Sequence, residues 1–351
     1  MPRSSPATRL LAFFMLSAIL VLATGCGEKE ETVNSEDVRK DRLVVLLDWY
    51  PNANHAGIYQ AVEDGSFDKR ALQVEPQVPS DAAAIIKQVA AGRADLGLTY
   101  ASYVLDAREN GAKIKAIGAV VNRPLNSIIW LKKSGIKSIK GLRGKTVGVS
   151  GDGESNTLNT ILAANGVPKS SVKQINVNMD LQPALVSRKV DATITGYWNV
   201  EGVQLKQAKR PATVIPVDEA GVPTYDELVV IAKEDNLKDT RRTETYRRFF
   251  AGLEEGTKNA VDDPAAAFAA LSKNYKDIQK DADFYKASLK VTLPILAQTN
   301  VGDNPFGWMD PSTWSNYGKW MKDNGELTQT GANYTDAITN DLLPGVPPTD
   351  Q

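Results

Sequence analysis

The sequence predicts an α/β fold built as two lobes, each a mainly parallel sheet flanked by helices, with a ligand cleft between them. Three observations lead there. Apolar runs of strand length alternate with helical patterns, which is how parallel sheets read in sequence. The alternation occurs twice, the second round opening near Ser127 and closing near Val229. At 351 residues the chain is long enough for two domains of ordinary size.

The elements follow in order. Residues 43–47, Leu-Val-Val-Leu-Leu, form a continuous apolar run, as expected for a strand buried on both faces. A helix is expected from about 55 to 64, closed by Gly65, and another from 82 to 91, closed by Gly92. Residues 95–99, 115–121 and 127–132 read as strands, and 146–149 as another. The loop 150–156 opens a helix over 157–165, a further helix ends at 185–189, and 192–195 and 227–232 are strands. From about 243 to 325 the chain is mainly helical, and 337–343 holds a last short segment. The simplest account places 41–127 with 231–345 in one lobe and 128–230 in the other. Two crossings between lobes then act as a hinge, and ligand sits at the carboxyl ends of the strands.

The first 26 residues read as a targeting segment. Arg3 and Arg9 precede residues 10–22, which are almost wholly apolar and too short to span about 30 Å of hydrocarbon stably. Ala23-Thr24-Gly25-Cys26 then resembles a bacterial lipobox, with Cys26 as the acylated residue and 1–25 removed. A plain secretory peptide with an incidental cysteine is the alternative. Residues 26–40 are polar, a solvated tether between membrane and domain. No later stretch is apolar for 18 residues.

Composition excludes several chemistries. Lys plus Arg number 41 and Asp plus Glu 42, so there is no field for holding nucleic acid. One Cys and one His, Cys26 and His55, rule out a cysteine-built or multi-histidine metal site. Gly141-Leu142-Arg143-Gly144-Lys145-Thr146 lacks the first glycine of a P-loop, since residue 139 is Ile, and no Gly-x-Ser-x-Gly elbow exists. No catalytic group stands out.

Two segments stand out instead. Asp48-Trp49-Tyr50-Pro51-Asn52-Ala53-Asn54-His55 gathers aromatic rings, amides and a carboxylate at a strand's carboxyl end. Rings there can stack on a flat heterocycle while polar groups read its edge. Strand-end core aromatics with turn-forming Pro and Asn are the plainer account. Gly196-Tyr197-Trp198-Asn199-Val200-Glu201 is the counterpart in the second lobe. Trp198 can close over a ring held by Trp49, and Glu201 can accept from an exocyclic amine; a helix start with a buried Trp is the alternative. Gly153, Glu154 and Ser155 open a helix, where they either receive ligand or merely cap. Tyr100 and Ser102 end another strand and are placed to line the cleft. Trp314, Tyr317 and Trp320, three apart, read as packing.

At these residues the sequence resembles a known family. The string from Leu47 to Tyr59, then Ala94-Asp95-Leu96-Gly97, Gly141-Leu142-Arg143-Gly144-Lys145 and Gly196 to Glu201, is similar to solute-binding proteins of the thiamine-pyrimidine family. That group includes the formylaminopyrimidine-binding lipoproteins of ABC importers. The likeness runs from about residue 43 to 300. It implies a type II periplasmic-binding-protein fold, with Trp49, Asn52, His55 and Tyr59 on one wall and Tyr197, Trp198 and Glu201 on the other. It implies a lipid-anchored, extracytoplasmic, monomeric protein, with no cofactor, that delivers a small aromatic heterocycle to a permease subunit. A pyrimidine precursor is expected first, riboflavin second. A fungal relative is a single-turnover synthase that uses pyridoxal phosphate, iron and its own histidine. Its Lys and donor His fall here at Thr99 and Tyr103, and its Cys-rich segment is missing. The resemblance therefore implies a binding protein rather than an enzyme.

Overall fold

A computed structural model describes residues 40–79, 82–149, 152–177, 180–296, 303–329 and 332–347. Cys26, the segment 1–25 and all of the expected tether but Lys40 lie outside the described residues.

Among the described residues ten strands form two five-stranded sheets. The first contains β1 (Asp41–Leu46), β2 (Leu72–Gln77), β3 (Leu96–Thr99), β4 (Ile114–Val121) and β10 (Leu228–Lys233), in the order β2-β1-β3-β10-β4. The second contains β5 (Asn126–Leu131), β6 (Thr146–Val149), β7 (Lys173–Asn176), β8 (Ala192–Tyr197) and β9 (Ala212–Pro216), in the order β7-β6-β8-β5-β9. In each sheet four strands point one way and one runs against both neighbours: β10 in the first, β5 in the second. These are the strands that arrive directly from the other sheet. A chain leaving the carboxyl end of β4 enters the second sheet at the carboxyl edge of its strands, so it must run backwards. Parallel neighbours, by contrast, need a long return crossover.

The register records this. Asn126, the first residue of β5, pairs with Tyr197, the last of β8, and Leu228, the first of β10, pairs with Val121, the last of β4. The chain changes sheet through 122–125 and through 217–227, so the expected boundaries at 127/128 and 230/231 fall inside β5 and β10.

Helices cover the sheets: α1 (Ala56–Glu63), α2 (Ala82–Ala90), α3 (Ala101–Glu109), α4 (Asp152–Ala164), α5 (Leu181–Val186), α6 (Glu201–Gln207), α7 (Thr240–Asp262), α8 (Pro264–Asn274), α9 (Ala282–Leu296) and α10 (Pro311–Asp323). The long C-terminal helical region is divided by its capping residues. Asp239, Asp263 and Asp310 each accept from two backbone N–H groups at the start of α7, α8 and α10, and Pro264 and Pro311 occupy first-turn positions that need no donor. Helix α1 packs on α7 at glycines: a Cβ on Gly256 would lie 2.4 Å from Cβ of Ala61, and one on Gly57 2.1 Å from Oγ1 of Thr257. That close approach seats Phe67 flat on Phe249, with ring centroids 5.4 Å apart and planes 7° apart. Leu43, Val45 and Leu47 join this core from the sheet side. On the other side of the molecule Trp130 of β5 is fully buried and donates its Nε1–H to the Ile136 carbonyl at 2.8 Å. The C-terminal segment returns to the first sheet through a bridge between Ile338 and Ala116.

Candidate ligand-binding cleft

The strand ends and crossing segments surround a cleft of about 1030 Å³. Each sheet contributes. Asp48, Trp49, Tyr50 and Asn52 follow β1, and Tyr100, Ser102 and Tyr103 follow β3. Tyr197 ends β8, Glu201 opens α6, and Tyr225 and Glu227 come from the second crossing.

Asp48 is nearly buried and held at both oxygens. The backbone N–H of Asn52 donates to His55 Nδ1 at 3.1 Å, which leaves the ring proton on Nε2. That Nε2–H donates to Asp48 Oδ1 at 2.7 Å, and the Tyr100 hydroxyl donates to Oδ2 at 3.0 Å. Asn52 also caps the short turn Ala53–His55, accepting from the Asn54 N–H at 2.8 Å. His55 is therefore not a wall residue: it is fully buried, does not line the cleft, and acts by positioning Asp48. Tyr59 is likewise buried on α1 away from the cleft, where burial pushes its phenol up to about 12. Trp49 does line the cleft, with half its surface exposed and its ring edge-on to Tyr50 at 5.9 Å.

The opposite wall centres on Glu227, which the sequence reading assigns only to a strand. Its Oε2 accepts from the Leu125 N–H at 2.8 Å and its Oε1 from the Tyr197 hydroxyl at 2.8 Å. Burial raises the pKa of Glu227 and of Glu201; backbone N–H donors oppose that in both, and at Glu201 one of them is Tyr197 N–H, 2.6 Å from Oε2. Trp198 takes another direction. Its Nε1–H donates to the Pro124 carbonyl at 3.2 Å, and it does not line the cleft. Successive residues at a strand end face opposite ways, and Tyr197 holds the cleft side. The expected sandwich between Trp49 and Trp198 is not formed: Trp49 lines the cleft with Tyr197, Glu201 and Glu227, and Trp198 does not. Ser155 is partly buried on α4 without lining the cleft, where that helix supplies Thr157. Gly153 and Glu154 fall in the first turn of α4, and the Glu154 side chain lies outside what the structure describes.

Two aromatic groups escape the sequence reading. Tyr225, Tyr317 and Trp320 form a continuous stack, with centroids 4.5 and 5.4 Å apart, and all three line the cleft. Ser102 lines the same cleft. Of the three residues read as packing, only Trp314 is purely that: it is buried, and its Nε1–H donates to Asp226 Oδ2 at 2.7 Å. Tyr275 meets Tyr50 at 6.1 Å and extends the wall begun by Trp49. Among the described residues no group of three or more His, Cys, Asp or Glu is arranged to hold a metal ion, and no helix is long and apolar enough to cross a membrane.

Comparison with known proteins places this geometry. A family model described as NMT1/THI5 like matches residues 52–267, which include the wall residues from Asn52 to Glu227. The chain belongs to the NMT1/THI5-like family. It is 34% identical over 259 residues to a protein of Haemophilus influenzae named for thiamine biosynthesis, covering 74% of this chain and 81% of that one. It is 30% identical over 314 residues to the formylaminopyrimidine-binding protein of Halalkalibacterium halodurans, covering 88% and 91%. A 4-amino-5-hydroxymethyl-2-methylpyrimidine phosphate synthase of Uromyces fabae is 28% identical over 244 residues, covering 66% and 71%. Among solved structures, the periplasmic aliphatic sulphonate binding protein SsuA of Escherichia coli superposes with a TM-score of 0.66 at 15% identity, over 86% of this chain and 98% of that one. That last likeness is one of fold: the family member has the architecture of periplasmic binding proteins.

Proposed function

We propose that this family member is the solute-binding lipoprotein of an ABC importer, that it binds a thiamine pyrimidine precursor of the formylaminopyrimidine or hydroxymethylpyrimidine type, and that it hands the ligand unchanged to a permease. The observation that carries the reading is the pairing of flat rings with fixed carboxylates. Trp49 and Tyr50 offer faces and edges for stacking, while Asp48, Glu201 and Glu227 stand where amino groups on a ring's edge can donate. The similarity to a formylaminopyrimidine-binding protein over nearly its whole length supports the same class of ligand. Anchoring through Cys26, with the folded part outside the cytoplasm, completes the proposal. So does closure of the two sheets and their helices on one another about the crossings 122–125 and 217–227.

A synthase activity is the weaker reading despite the synthase relatives. The positions of the Lys and donor His hold Thr99, fully buried at the end of β3, and Tyr103. Neither forms a Schiff base or gives up an imidazole. Riboflavin stays as the second ligand because a cleft of about 1030 Å³ has room for more than one ring. A thermal-shift panel separates these readings, since a ligand raises stability by RT ln(1 + [L]/Kd). The proposal expects the largest shift from the pyrimidine precursors. A shift from riboflavin alone, or from an alkanesulfonate alone, overturns it.

A further inference from the structure

The charges of the cleft point further than its rings. Among the described residues six carboxylates line it: Asp48, Asp106, Glu201, Glu227, Asp277 and Glu326. No Lys, Arg or His is among the described lining residues. The internal stretches outside the described residues (80–81, 150–151, 178–179, 297–302 and 330–331) contain none either. Basic residues are not scarce in the chain, which has 41 of them against 42 acids. Their absence among the described lining residues therefore does not follow from composition.

We infer that the cleft selects by charge, taking a flat aminoheterocycle that carries a positive charge and refusing the same ring when it carries a phosphate or sulfonate. This rests on the proposed function and adds to it: the formylamino and hydroxymethyl side chains are uncharged, so the positive charge is that of a protonated ring nitrogen or of a free amine on the same ring. Asp277, at 2.5 Å from Lys280 Nζ, is already paired. An anion reaching Asp48, Glu201 and Glu227, however, finds like charges and no Lys or Arg among the described lining residues, and like charges brought together in an interface are strongly unfavourable. A cation finds the opposite, and the π-faces of Trp49 and Tyr50 attract it as well. The inner carboxylates cannot swing aside to relieve an anion. Asp48 is tied by His55 and Tyr100, and Glu227 by the Leu125 N–H and the Tyr197 hydroxyl. The same fold therefore carries a ligand of opposite charge from the sulphonate for which its structural neighbour is named. Relatives named as synthases of a pyrimidine phosphate make a product that this cleft would reject.

The test holds the ring constant and varies only its charge. Titration calorimetry on the purified full chain at pH 7 uses three probes: 4-amino-5-aminomethyl-2-methylpyrimidine as the cation, its 5-hydroxymethyl analogue as the neutral form, and the phosphate ester of that analogue as the anion. The expected order is cation tighter than neutral by at least about tenfold, and anion weaker than neutral by at least about a hundredfold. Glu201→Gln is expected to narrow the cation's advantage while changing the neutral probe's affinity less. The wild-type series decides the matter even if that variant fails to fold. Equal affinities for cation and neutral probe, or a phosphate ester that binds as well as the alcohol, overturn charge selection and leave the pyrimidine reading standing. Binding by none of the three overturns both.

Discussion

Asp226 offers a quantitative test of how the second crossing is built. It lies beside Glu227 in the stretch that returns the chain to the first sheet, almost wholly buried, and accepts the Trp314 Nε1–H at 2.7 Å. Burial raises its pKa from 3.8 to about 7; the Trp314 hydrogen bond lowers it, and the charge of Asp310 adds to the rise. In the unfolded chain the carboxyl releases its proton near 3.8, whereas folded it holds the proton up to about 7. Between those values the folded state binds more protons, so stability falls as pH rises through the window. The window spans about three pH units, and about 1.36 kcal/mol for each gives an upper figure of roughly 4 kcal/mol. Asp226→Asn keeps an oxygen for Trp314 and removes the titration. Urea unfolding at pH 4.5, 6, 7 and 8 measures both proteins. Glu201 and Glu227 titrate in both and cancel in the difference. The variant is expected to gain on the wild type from pH 4.5 to about pH 7 and to level off by pH 8, approaching that upper figure. Parallel stability curves refute the assignment of Asp226 as a buried, proton-holding acid.

Other predictions test the walls and the packing. Trp49→Ala removes a half-exposed stacking face and is expected to weaken pyrimidine affinity by about 2- to 12-fold, the equivalent of about 0.5–1.5 kcal/mol, in a calorimetric titration. Trp198→Phe loses the bond to the Pro124 carbonyl and is expected to cost about 1 kcal/mol of stability while shifting affinity by less than about twofold, as unfolding and titration together show. His55→Ala strips Asp48 of its buried donor. It is expected to destabilise by about 1–3 kcal/mol and to weaken binding without abolishing it, read from the same two assays. Gly256→Ala puts a methyl against Ala61 and is expected to cost about 1–3 kcal/mol in chemical denaturation, with affinity unchanged.

The apolar-run reading finds β1, β3, β4, β5, β6, β8 and β10, whose residues are mostly buried. It passes over β2, β7 and β9, three of the four edge strands; the fourth, β4, is buried along almost its whole length and so is found. Edge strands tolerate polar residues and, at Pro76, a missing donor, so their sequences carry little signal. The loop after β1 and the turn after β8 were legible as cleft walls, since unusual clusters of rings and amides stood at strand ends. Which side chain of each cluster faces the cleft was not legible. Tyr197 and Trp198 are adjacent and equally aromatic, and only the backbone direction at the end of β8 separates them. His55 is chemically the most conspicuous residue of its loop, yet its three-residue hydrogen bond to Asn52 turns it inward. Tyr317 and Trp320 do stack as their spacing implies. Their place in the cleft depends on α10 packing near the end of β3, more than two hundred residues earlier in the chain.

The cleft is proposed to hold a flat heterocycle reversibly and to do no chemistry on it. Equilibrium dialysis of the wild-type chain with the hydroxymethylpyrimidine, followed by mass spectrometry of both ligand and protein, distinguishes binding from turnover. The expected result is one ligand bound per chain, full recovery of that ligand at its original mass, and a protein whose mass and single histidine are unchanged. A ligand recovered with an altered mass, or a chain that has lost its imidazole, contradicts it.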